Sequence, residues 1–392
     1  MNRRDFLKHT SLVSASALLP AFLHKLRFHP LHTQDRKLVI VQLSGGNDWL
    51  NAFVPYRHDP YYRLRPQLGI AAGEVLPLTD EIGLNPALTP LRTLYDQGWM
   101  SLLNQVGYPN PDRSHFRAMD IWHSASGADA YWDTGWLGRY LDHCCTGSPH
   151  RVLEIDDTLS LAVKGEHTKA LAVSNPQQLY NSTRDPWIQH LAAQAPTGSG
   201  DLDYLYKTLA ETTASASYIY ERAGLKPSGQ TYPSTPLGRQ LHLVATLMAA
   251  GVETQVFYVS MTGFDTHVRQ RQAQDRLLKQ YAGAMAAFVE DLRNQGLWGQ
   301  TAVMTFSEFG RRVEQNASGG TDHGKAGNVL LMGGSLRQPG VFNAVPDLLT
   351  LDDGDLPHQL DFRQVYATLL HDWLGADDAA ILGQPFAQLP LV

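Results

Sequence analysis

The chain has 392 residues, of which 43% are hydrophobic and 18% charged, so it can bury a sizeable core as one large domain or two. Its 32 basic and 38 acidic residues give a formal net charge of −6 and form no basic block, which argues against a nucleic-acid partner. No apolar run reaches the roughly 20 residues that span a bilayer, so no transmembrane helix is predicted beyond a signal segment.

The N-terminal segment carries an export pattern. Asn2 to Lys8 reads Asn-Arg-Arg-Asp-Phe-Leu-Lys, which resembles the twin-arginine motif, and the apolar stretch Ser11 to Leu23 follows. A basic segment before a short apolar one is typical of a signal peptide rather than a membrane span. We therefore predict a twin-arginine signal over residues 1–30, the twin-arginine translocase as a partner, and a periplasmic or extracellular location. An ordinary amphipathic helix is the alternative.

Residues 36–390 are predicted to form one α/β domain. Leu38 to Leu43, rich in Val, Ile and Leu, is typical of a buried strand, and it ends in the turn Ser44 to Asp48. Residues 55–85 are rich in Pro, Arg and Tyr and are predicted to be irregular. The next predicted elements are a helix over 86–97, a strand over 100–104, and helices over 115–124 and 132–145.

The two cysteines, Cys144 and Cys145, are adjacent in the sequence. Neighbouring cysteines form a disulfide only with strain, and their spacing differs from that of a tetrahedral zinc site. We therefore predict no disulfide framework and interpret both residues as small buried hydrophobic groups.

Residues from about 150 to 235 give weaker signals. Short strand patterns at 151–155, 159–163 and 170–173 precede a linker-like stretch at 196–201, a helix over 202–223 and a loop rich in Pro, Ser and Gly. We interpret this region as an insertion or cap on the core.

The C-terminal third alternates between strand and helix patterns. Strands are predicted over 255–261, 301–306 and 329–332, and helices over 237–250, 268–295 and 361–374, the last with Asp361 as N-cap and Gly375 as C-cap. Strands that alternate with helices favour a mostly parallel sheet with both faces covered.

Acids and histidines recur just past the predicted strands. These residues are Asp48, Asp265, His267, Glu308, Asp322 and His323. In an open α/β sheet, ligands bind outside the carboxyl ends of the strands. Carboxylates and imidazoles together suit zinc, manganese or calcium. The pattern therefore predicts a site for one or two divalent metal ions at this edge.

A nucleophile stands close to a predicted helix start. Ser114 precedes the helix at 115, where free backbone N–H groups and the helix dipole favour an anion. Arg113 adds a guanidinium that can hold phosphate or sulfate by two hydrogen bonds. Ser114 as a plain N-cap is the structural alternative.

Six motifs together resemble one exported protein family. They are Gly45-Gly46-Asn47-Asp48, Arg113-Ser114-His115-Phe116, Gly263-Phe264-Asp265-Thr266-His267, Ser307-Glu308-Phe309-Gly310-Arg311, Gly320-Thr321-Asp322-His323-Gly324 and Asp361-Phe362-Arg363-Gln364-Val365-Tyr366. After residue 35, nearly the whole chain resembles the family numbered 1501 among domains of unknown function, within the alkaline phosphatase-like superfamily of phosphatases and sulfatases. The resemblance implies a three-layer α/β/α core with a mostly parallel sheet and a smaller inserted cap.

The resemblance also implies a metal site in two parts. Asp265, His267 and His323 would form the first cluster. A thinner second cluster would consist of Asp48, Ser114 and Glu308. The superfamily usually has a ligand histidine at the position of Phe309, so the alternatives to a two-ion site are one ion or none.

These observations lead to two hypotheses. The first is an exported metal-dependent hydrolase of small phosphate or sulfate esters, in which Ser114 attacks, and Arg113 and the N–H groups at the helix start hold the equatorial oxygens. The second, favoured by Phe309, is a non-catalytic exported binding or assembly protein that keeps the fold with a degenerate metal site.

Structural roles are the alternative for several of these residues. Asp48 fits a simple turn, and Glu308 fits an ion pair with Arg311 or Arg312. His115 and the remaining histidines are interpreted as satisfied surface or core groups.

Overall fold

The apolar run after residue 37 forms the centre of a nine-stranded sheet. In the computed structural model, which describes residues 33–194, 201–224 and 229–392, this run is strand β1, Lys37–Leu43. The other strands are β2 Phe53–Val54, β3 Leu76–Pro77, β4 Gly83–Leu84, β5 Met100–Gly107, β6 Val152–Glu154, β7 Leu171–Ala172, β8 Val256–Met261, β9 Thr301–Phe306, β10 Gly327–Gly333, β11 Gly340–Val341 and β12 Leu360–Asp361. The main sheet has the order β11-β5-β10-β9-β1-β8-β6-β7, with β12 beside β5, and β2, β4 and β3 form a small second sheet.

Most strands of the main sheet run in the same direction. β1 pairs in parallel with β8 and β9, so that Ile40 lies opposite Tyr258 on one side and Met304 on the other. Among the described strands of this sheet, only β10 runs antiparallel to its neighbours, β5 and β9. The carboxyl ends of β1, β5, β8 and β9 therefore meet at one edge, and the predicted α/β class with a mostly parallel sheet is confirmed.

Helices occupy most of the segments between the strands. They are α1 Trp49–Ala52, α2 Asp59–Leu64, α3 Thr89–Asp96, α4 His115–Ser124, α5 Trp136–Cys144, α6 Pro176–Thr183, α7 Pro186–Ala192, α8 Asp201–Ala223, α9 Pro236–Ala249, α10 Gln270–Asn294, α11 Phe362–Thr368 and α12 Asp378–Leu382. Short 3₁₀ segments at Thr33–Asp35, Pro86–Leu88, Pro149–Arg151, Leu161–Val163 and Trp298–Gln300, and a π-helix at Leu369–Trp373, complete the described elements.

The core lies on both faces of the main sheet. Along β1, Val39 and Val41 pack into a cluster that includes residues of α9 and α10, whereas Leu38 and Ile40 pack into a second cluster with residues of α4, α5 and α11. Side chains of a strand alternate between the two faces, so an unbroken apolar run is what a strand covered on both sides requires. The result is three layers, α/β/α.

In the region interpreted as a cap, the strands predicted over 151–155 and 170–173 are found as β6 and β7, and one segment differs from its prediction. The strand predicted over 159–163 is wrong, because Leu161–Val163 is a 3₁₀ helix preceded by a turn in which Ser160 N donates to the Glu154 carboxylate at 2.7 Å. β6 and β7 extend the main sheet beside β8, so this part of the predicted cap belongs to the central layer.

The cysteines also differ from their prediction. Cys144 and Cys145 are joined in a disulfide, and Cys144 is exposed whereas Cys145 is buried. The interpretation of both as small buried hydrophobic groups without a disulfide is therefore wrong. α5 ends between them: Cys144 is its last helical residue and Cys145 has left the helical conformation, which allows the two side chains to meet.

The predicted signal over residues 1–30 lies outside the described residues. Thr33–Val392 forms one compact unit. Within the described ranges, no helix combines the length and the apolar character needed to cross a bilayer.

Candidate metal centre

The turns after β1, β8 and β9 form the floor of the site. Ser44 N donates to Met261 O at the end of β8, and Ser307 Oγ accepts a hydrogen bond from Asn47 N. Gly45 has a φ of +117°, and a Cβ on it would lie 2.4 Å from Asp265 N. Only glycine fits here without a backbone shift, because it has no side chain and tolerates positive φ. The approach of these turns brings distant segments of the chain together.

Three imidazole rings converge on one carboxylate oxygen. Nε2 of His115, His267 and His323 lies 3.4, 2.9 and 3.1 Å, respectively, from Asp265 Oδ1. The Nε2 atoms of His267 and His323 are 2.9 Å apart. Ligand atoms of His115, Asp265 and His323 all lie within 4.8 Å of one another. We call these four residues the histidine–aspartate cluster.

The outer nitrogen of each ring already has an acceptor. His115 Nδ1 lies 2.8 Å from Glu308 Oε1, and His323 Nδ1 lies 2.8 Å from the carbonyl oxygen of Arg113. His267 Nδ1 lies 3.3 Å from Asp322 Oδ1. A carbonyl or carboxylate oxygen only accepts, so each Nδ1–H donates to it, and a ring in its neutral form then has its lone pair at Nε2.

The convergence leaves a buried polar atom without a hydrogen bond. His115 Nε2 is buried and has no hydrogen-bond partner. Three nitrogen lone pairs and a carboxylate that face one another repel, unless a proton or a cation lies between them. Histidine ligands of metal ions typically donate their other N–H to a carboxylate or carbonyl group, as all three do here. The residues therefore fit a metal ion.

Asp265 is held as an anion. Partial burial raises the pKa of Asp265, but the hydrogen bond and the positive charge of Arg311 outweigh it and hold the pKa well below its usual value. The Arg311 guanidinium lies 2.8 Å from Asp265 Oδ1 and is itself fully buried. It also donates to main-chain carbonyl groups at Gly45, Gly46, Phe264 and Thr321. Arg311 therefore fixes both the charge and the position of Asp265.

Glu308 lies one layer behind the cluster. Its carboxylate accepts hydrogen bonds from His115 Nδ1 and from Gly45 N, both at 2.8 Å. Burial raises the pKa of Glu308, but these hydrogen bonds outweigh it and the net pKa is lowered. The same bond to Glu308 raises the pKa of His115. Glu308, predicted as a ligand, is therefore placed where it orients a ligand. Asp322, also predicted as a ligand, likewise contacts the outer nitrogen of His267 and not the centre of the cluster.

Asp48, also predicted as a ligand, forms a buried ion pair instead. Arg65 NH1 lies 2.5 Å from Asp48 Oδ2, and both side chains are inaccessible to solvent. Gln270 donates to the same carboxylate oxygen. The guanidinium thus supplies the positive charge that a metal ion would supply, and no contact joins Asp48 to the histidine–aspartate cluster among the described hydrogen bonds.

Ser114 stands between two residues that contact the cluster. Arg113 contributes the carbonyl group bound to His323, and His115 contributes Nε2. Ser114 is the N-cap of α4, but its side chain accepts no capping hydrogen bond. The Arg113 guanidinium, predicted to hold substrate, is bound to Asp355 and to Asp353.

Phe309 forms an apolar wall of the site. Its ring centroid is 4.8 Å from those of His115 and His323, and the side chain is buried. A Cβ on Gly46 would lie 2.1 Å from this ring. The phenyl group therefore supports the two histidines by packing.

The sequence interpretation missed His115, which it treated as a satisfied surface or core group. The available signal was its place in the motif Arg113-Ser114-His115-Phe116, directly after the predicted nucleophile. The spacing of apolar residues indicated where α4 starts, but it did not indicate which way the His115 ring points. Asp265, His267 and His323 are brought together as the sequence predicted.

Comparisons with known proteins give a family and several solved structures that match at low sequence identity. The family model described as "Protein of unknown function (DUF1501)" matches residues 99–388. No curated protein sequence matches significantly. Among solved structures, the lipoteichoic acid synthase LtaP from Listeria monocytogenes matches with a TM-score of 0.41 and 9% identity, over 89% of this chain and 76% of that one.

Two further solved structures match over a similar range. A protein in the alkaline phosphatase superfamily from Vibrio parahaemolyticus matches with a TM-score of 0.42 and 12% identity, over 90% of this chain and 71% of that chain. The sulfatase PsFucS1 from Pseudoalteromonas sp. matches with a TM-score of 0.41 and 11% identity, over 90% of this chain and 70% of that chain.

Proposed function

The chain belongs to the DUF1501 family of proteins of unknown function, and from that premise we propose that it is an exported metal-dependent hydrolase of phosphate or sulfate esters. One observation carries the proposal: the Nε2 atoms of three histidines converge on Asp265 Oδ1 while each Nδ1 is engaged behind. Such a set of donors at the carboxyl ends of parallel strands lies where α/β proteins bind their ligands.

The donor set favours zinc or manganese over calcium. Calcium takes six to eight oxygen ligands, whereas imidazole nitrogen suits transition metals. His115, His267, His323 and Asp265 would hold the ion. When bound, it would supply a Lewis acid that stabilises the negative charge on an ester oxygen. One centre fits better than two, because Arg65 already neutralises Asp48.

The residues around the cluster have defined parts in the proposed reaction. Ser114 Oγ forms a bond to phosphorus or sulfur, the ester P–O or S–O bond breaks, and the alcohol leaves with a proton. Water then cleaves the bond to Ser114 and restores the hydroxyl group. We assign the equatorial oxygens to the first N–H groups of α4, which point toward the space before the helix. The Arg113 guanidinium is bound to Asp353 and Asp355 and is less suited to this part.

Export through the twin-arginine translocase to the periplasm or beyond is part of the proposal. It rests on Arg3 and Arg4 in the N-terminal motif and on the apolar stretch that follows. The bond between Cys144 and Cys145 supports it, since disulfides persist in oxidising compartments.

A binding or assembly protein without catalysis is the second candidate. The buried pair of Asp48 and Arg65 and the apolar wall at Phe309 favour it, since neither group can hold a second ion. This candidate predicts weak metal binding and no ester hydrolysis.

The deciding experiment measures metal content and hydrolysis on the same preparations. We expect about one equivalent of zinc or manganese by elemental analysis in the purified protein, and none in a His115→Ala/His323→Ala double variant. His371→Ala removes an exposed histidine that contacts Asp372 and serves as the control. If the unaltered protein holds no metal even after reconstitution, the proposed metal-dependent hydrolysis is contradicted.

Hydrolysis of 4-nitrophenyl phosphate and 4-nitrophenyl sulfate then separates the two candidates. We expect turnover by the metal-loaded protein, and a loss of at least about 100-fold in kcat for Ser114→Ala with the metal retained. Metal binding without turnover of either ester, or of a wider ester panel, would leave the binding protein as the better candidate.

A further inference from the structure

One buried carboxylate joins two of the segments that build the histidine–aspartate cluster. The Asp355 side chain is inaccessible to solvent, and each of its two oxygens meets a different arginine. Oδ2 accepts a hydrogen bond from the guanidinium of Arg113, in the segment before α4. Oδ1 lies 3.3 Å from Nε of Arg312, in the segment after β9. Asp355 is therefore the shared anion of two cations that come from distant parts of the chain.

The turn that carries Asp355 is held independently of the two arginines. Asp352 and Asp355 exchange two main-chain hydrogen bonds, from Asp352 N to Asp355 O at 2.9 Å and from Asp355 N to Asp352 O at 3.1 Å. Lys325 Nζ binds the Asp352 carboxylate at 2.6 Å, and Ala326 N donates to Leu356 O at 3.2 Å. The carboxylate of Asp355 thus offers both arginines a fixed anionic position.

Arg113 connects Asp355 to the cluster through its main chain. Its carbonyl oxygen accepts the hydrogen bond of His323 Nδ1 at 2.8 Å, so the position of this carbonyl group determines how the His323 ring is oriented. Two residues further along the same segment, His115 places its Nε2 3.4 Å from Asp265 Oδ1. A shift of the Arg113 backbone would therefore misplace two rings of the cluster.

Arg312 connects Asp355 to a second stretch of main chain beside His323. Its N–H donates to Asp322 O at 3.0 Å, one residue before His323. The preceding residue, Arg311, is paired with His323 in an antiparallel β-bridge. Asp355 thus holds, through two side chains, the main-chain groups that contact His323 and its neighbour.

Asp353 binds the same two arginines from the surface. Its Oδ2 lies 3.0 Å from Arg113 NH2 and 4.0 Å from Arg312 NH2, and its side chain is 73% exposed. Ion pairs of an exposed carboxylate contribute little, because water and salt screen them. Pairs of a carboxylate that solvent cannot reach are screened much less. Asp353 and Asp355 therefore form a matched pair of residues with the same partners and different burial.

We propose that Asp355 is a positioning residue of the metal centre. Through Arg113 and Arg312 it holds the main-chain groups that orient His323, and with them the geometry in which the ion binds. This inference rests on the proposed metal binding and adds a residue that acts on the ion only through other groups. It gives the Arg113 side chain a part in metal binding rather than in holding substrate.

The test measures zinc affinity of the full chain by competition with a chelator, and the visible absorption of the cobalt(II)-loaded chain, which depends on ligand geometry. We expect Asp355→Asn to bind zinc about 10–100-fold more weakly, the range typical for groups that orient metal-binding histidines, and to change the cobalt spectrum. Asp353→Asn is the control. It should stay within about twofold of the unaltered affinity, because its ion pairs are screened.

Arg113→Met tests the same contact from its partly exposed end and keeps the carbonyl group that binds His323. We expect it to weaken zinc binding by about tenfold. The double variant Asp355→Asn/Arg113→Met should bind zinc no more weakly than Asp355→Asn alone, since both changes break one link. If Asp355→Asn does not fold, Arg113→Met decides alone, and an unchanged affinity in it overturns the inference.

Urea denaturation of the metal-free variants separates positioning from stability. A lower midpoint in Asp355→Asn, with unaltered zinc affinity and an unaltered cobalt spectrum, would make the contact a purely structural one. That result would overturn the inference and leave the proposed metal-dependent hydrolysis intact. An equal loss of affinity in Asp353→Asn would assign the effect to the charge of the turn and overturn it as well. If the unaltered chain binds neither zinc nor cobalt, the proposed function fails and this inference fails with it.

Discussion

At the scale of single residues, the hydrogen bond made by Nδ1 determines which nitrogen of each cluster histidine can bind a metal ion. His115, His267 and His323 all donate Nδ1–H away from the cluster, to Glu308, Asp322 and the Arg113 carbonyl group. For a neutral ring these acceptors select the tautomer with the lone pair at Nε2, and they hold that nitrogen toward the cluster before any ligand arrives. The acceptors behind the cluster are therefore as important for binding as the ligands.

Glu308→Gln should weaken zinc binding by about 10–100-fold, because an amide is a poorer acceptor for His115 Nδ1–H and orients the ring less firmly. The affinity is measured by competition with a chelator of known affinity. Glu314→Gln changes an exposed glutamate and should leave the affinity unaltered. Equal affinities of the two variants would show that Glu308 has no part in binding.

Glu154 gives a pH dependence that is separate from the metal centre. Burial raises its pKa from 4.5 to about 7. Below pH 4.5 both the folded and the unfolded chain hold the proton. Between pH 4.5 and 7 only the folded chain holds it, so the free energy of unfolding falls as the pH rises, by about 3 kcal/mol in total. Above pH 7 this contribution no longer changes.

Glu154→Gln should remove this pH-dependent loss, because the amide stays neutral and its oxygen can still accept from Ser160 N. The measurement is urea denaturation at several pH values between 4.5 and 7. Glu166→Gln, at an exposed position, is the control and should keep the slope of the unaltered protein. An unchanged slope in Glu154→Gln would contradict the assignment.

At the scale of elements, the site depends on how closely three turns approach one another. β1, β8 and β9 are neighbours in the sheet, so the turns that follow them start side by side. The turn after β1 then passes against Asp265, and only glycine at position 45 allows this contact.

Gly45→Ala should therefore destabilise the fold by roughly 1–3 kcal/mol and weaken zinc binding, since the new Cβ displaces the Asp265 backbone. Chemical denaturation and chelator competition measure the two effects. Gly73→Ala is the control, because a Cβ there would meet no atom within 4 Å. A Gly45→Ala protein with ordinary zinc affinity would show that the turn does not position Asp265.

At the scale of the whole molecule, the proposed location depends on the N-terminal sequence motif. Replacing Arg3 and Arg4 by lysine should keep the protein in the cytoplasm, because the translocase recognises the arginine pair in the motif. Cell fractionation with immunoblotting measures the distribution. Arg27→Lys, outside the motif, should be exported as the unaltered chain is. Export of the double variant would argue against the twin-arginine route.

Much of the architecture could be predicted because it depends on local patterns. The four consecutive apolar residues 38–41 of β1 require cover on both faces, and the apolar spacing of α4 indicated its bounds, 115–124. The 159–163 segment could not be assigned, because a contact between Ser160 and the carboxyl group of Glu154 turns the chain there. The disulfide was missed because it depends on where α5 ends.

The sequence by itself determined the α/β class, the family and the residues Asp265, His267 and His323, since strand-end position and motif order are local properties. Only the tertiary structure decided which of the other polar residues join them. Asp48 and Arg65 are 17 positions apart, and their pairing is set by packing, as is the entry of His115 into the cluster. The direction of a side chain at a strand end or helix start depends on the neighbours that surround it, and those come from distant parts of the chain.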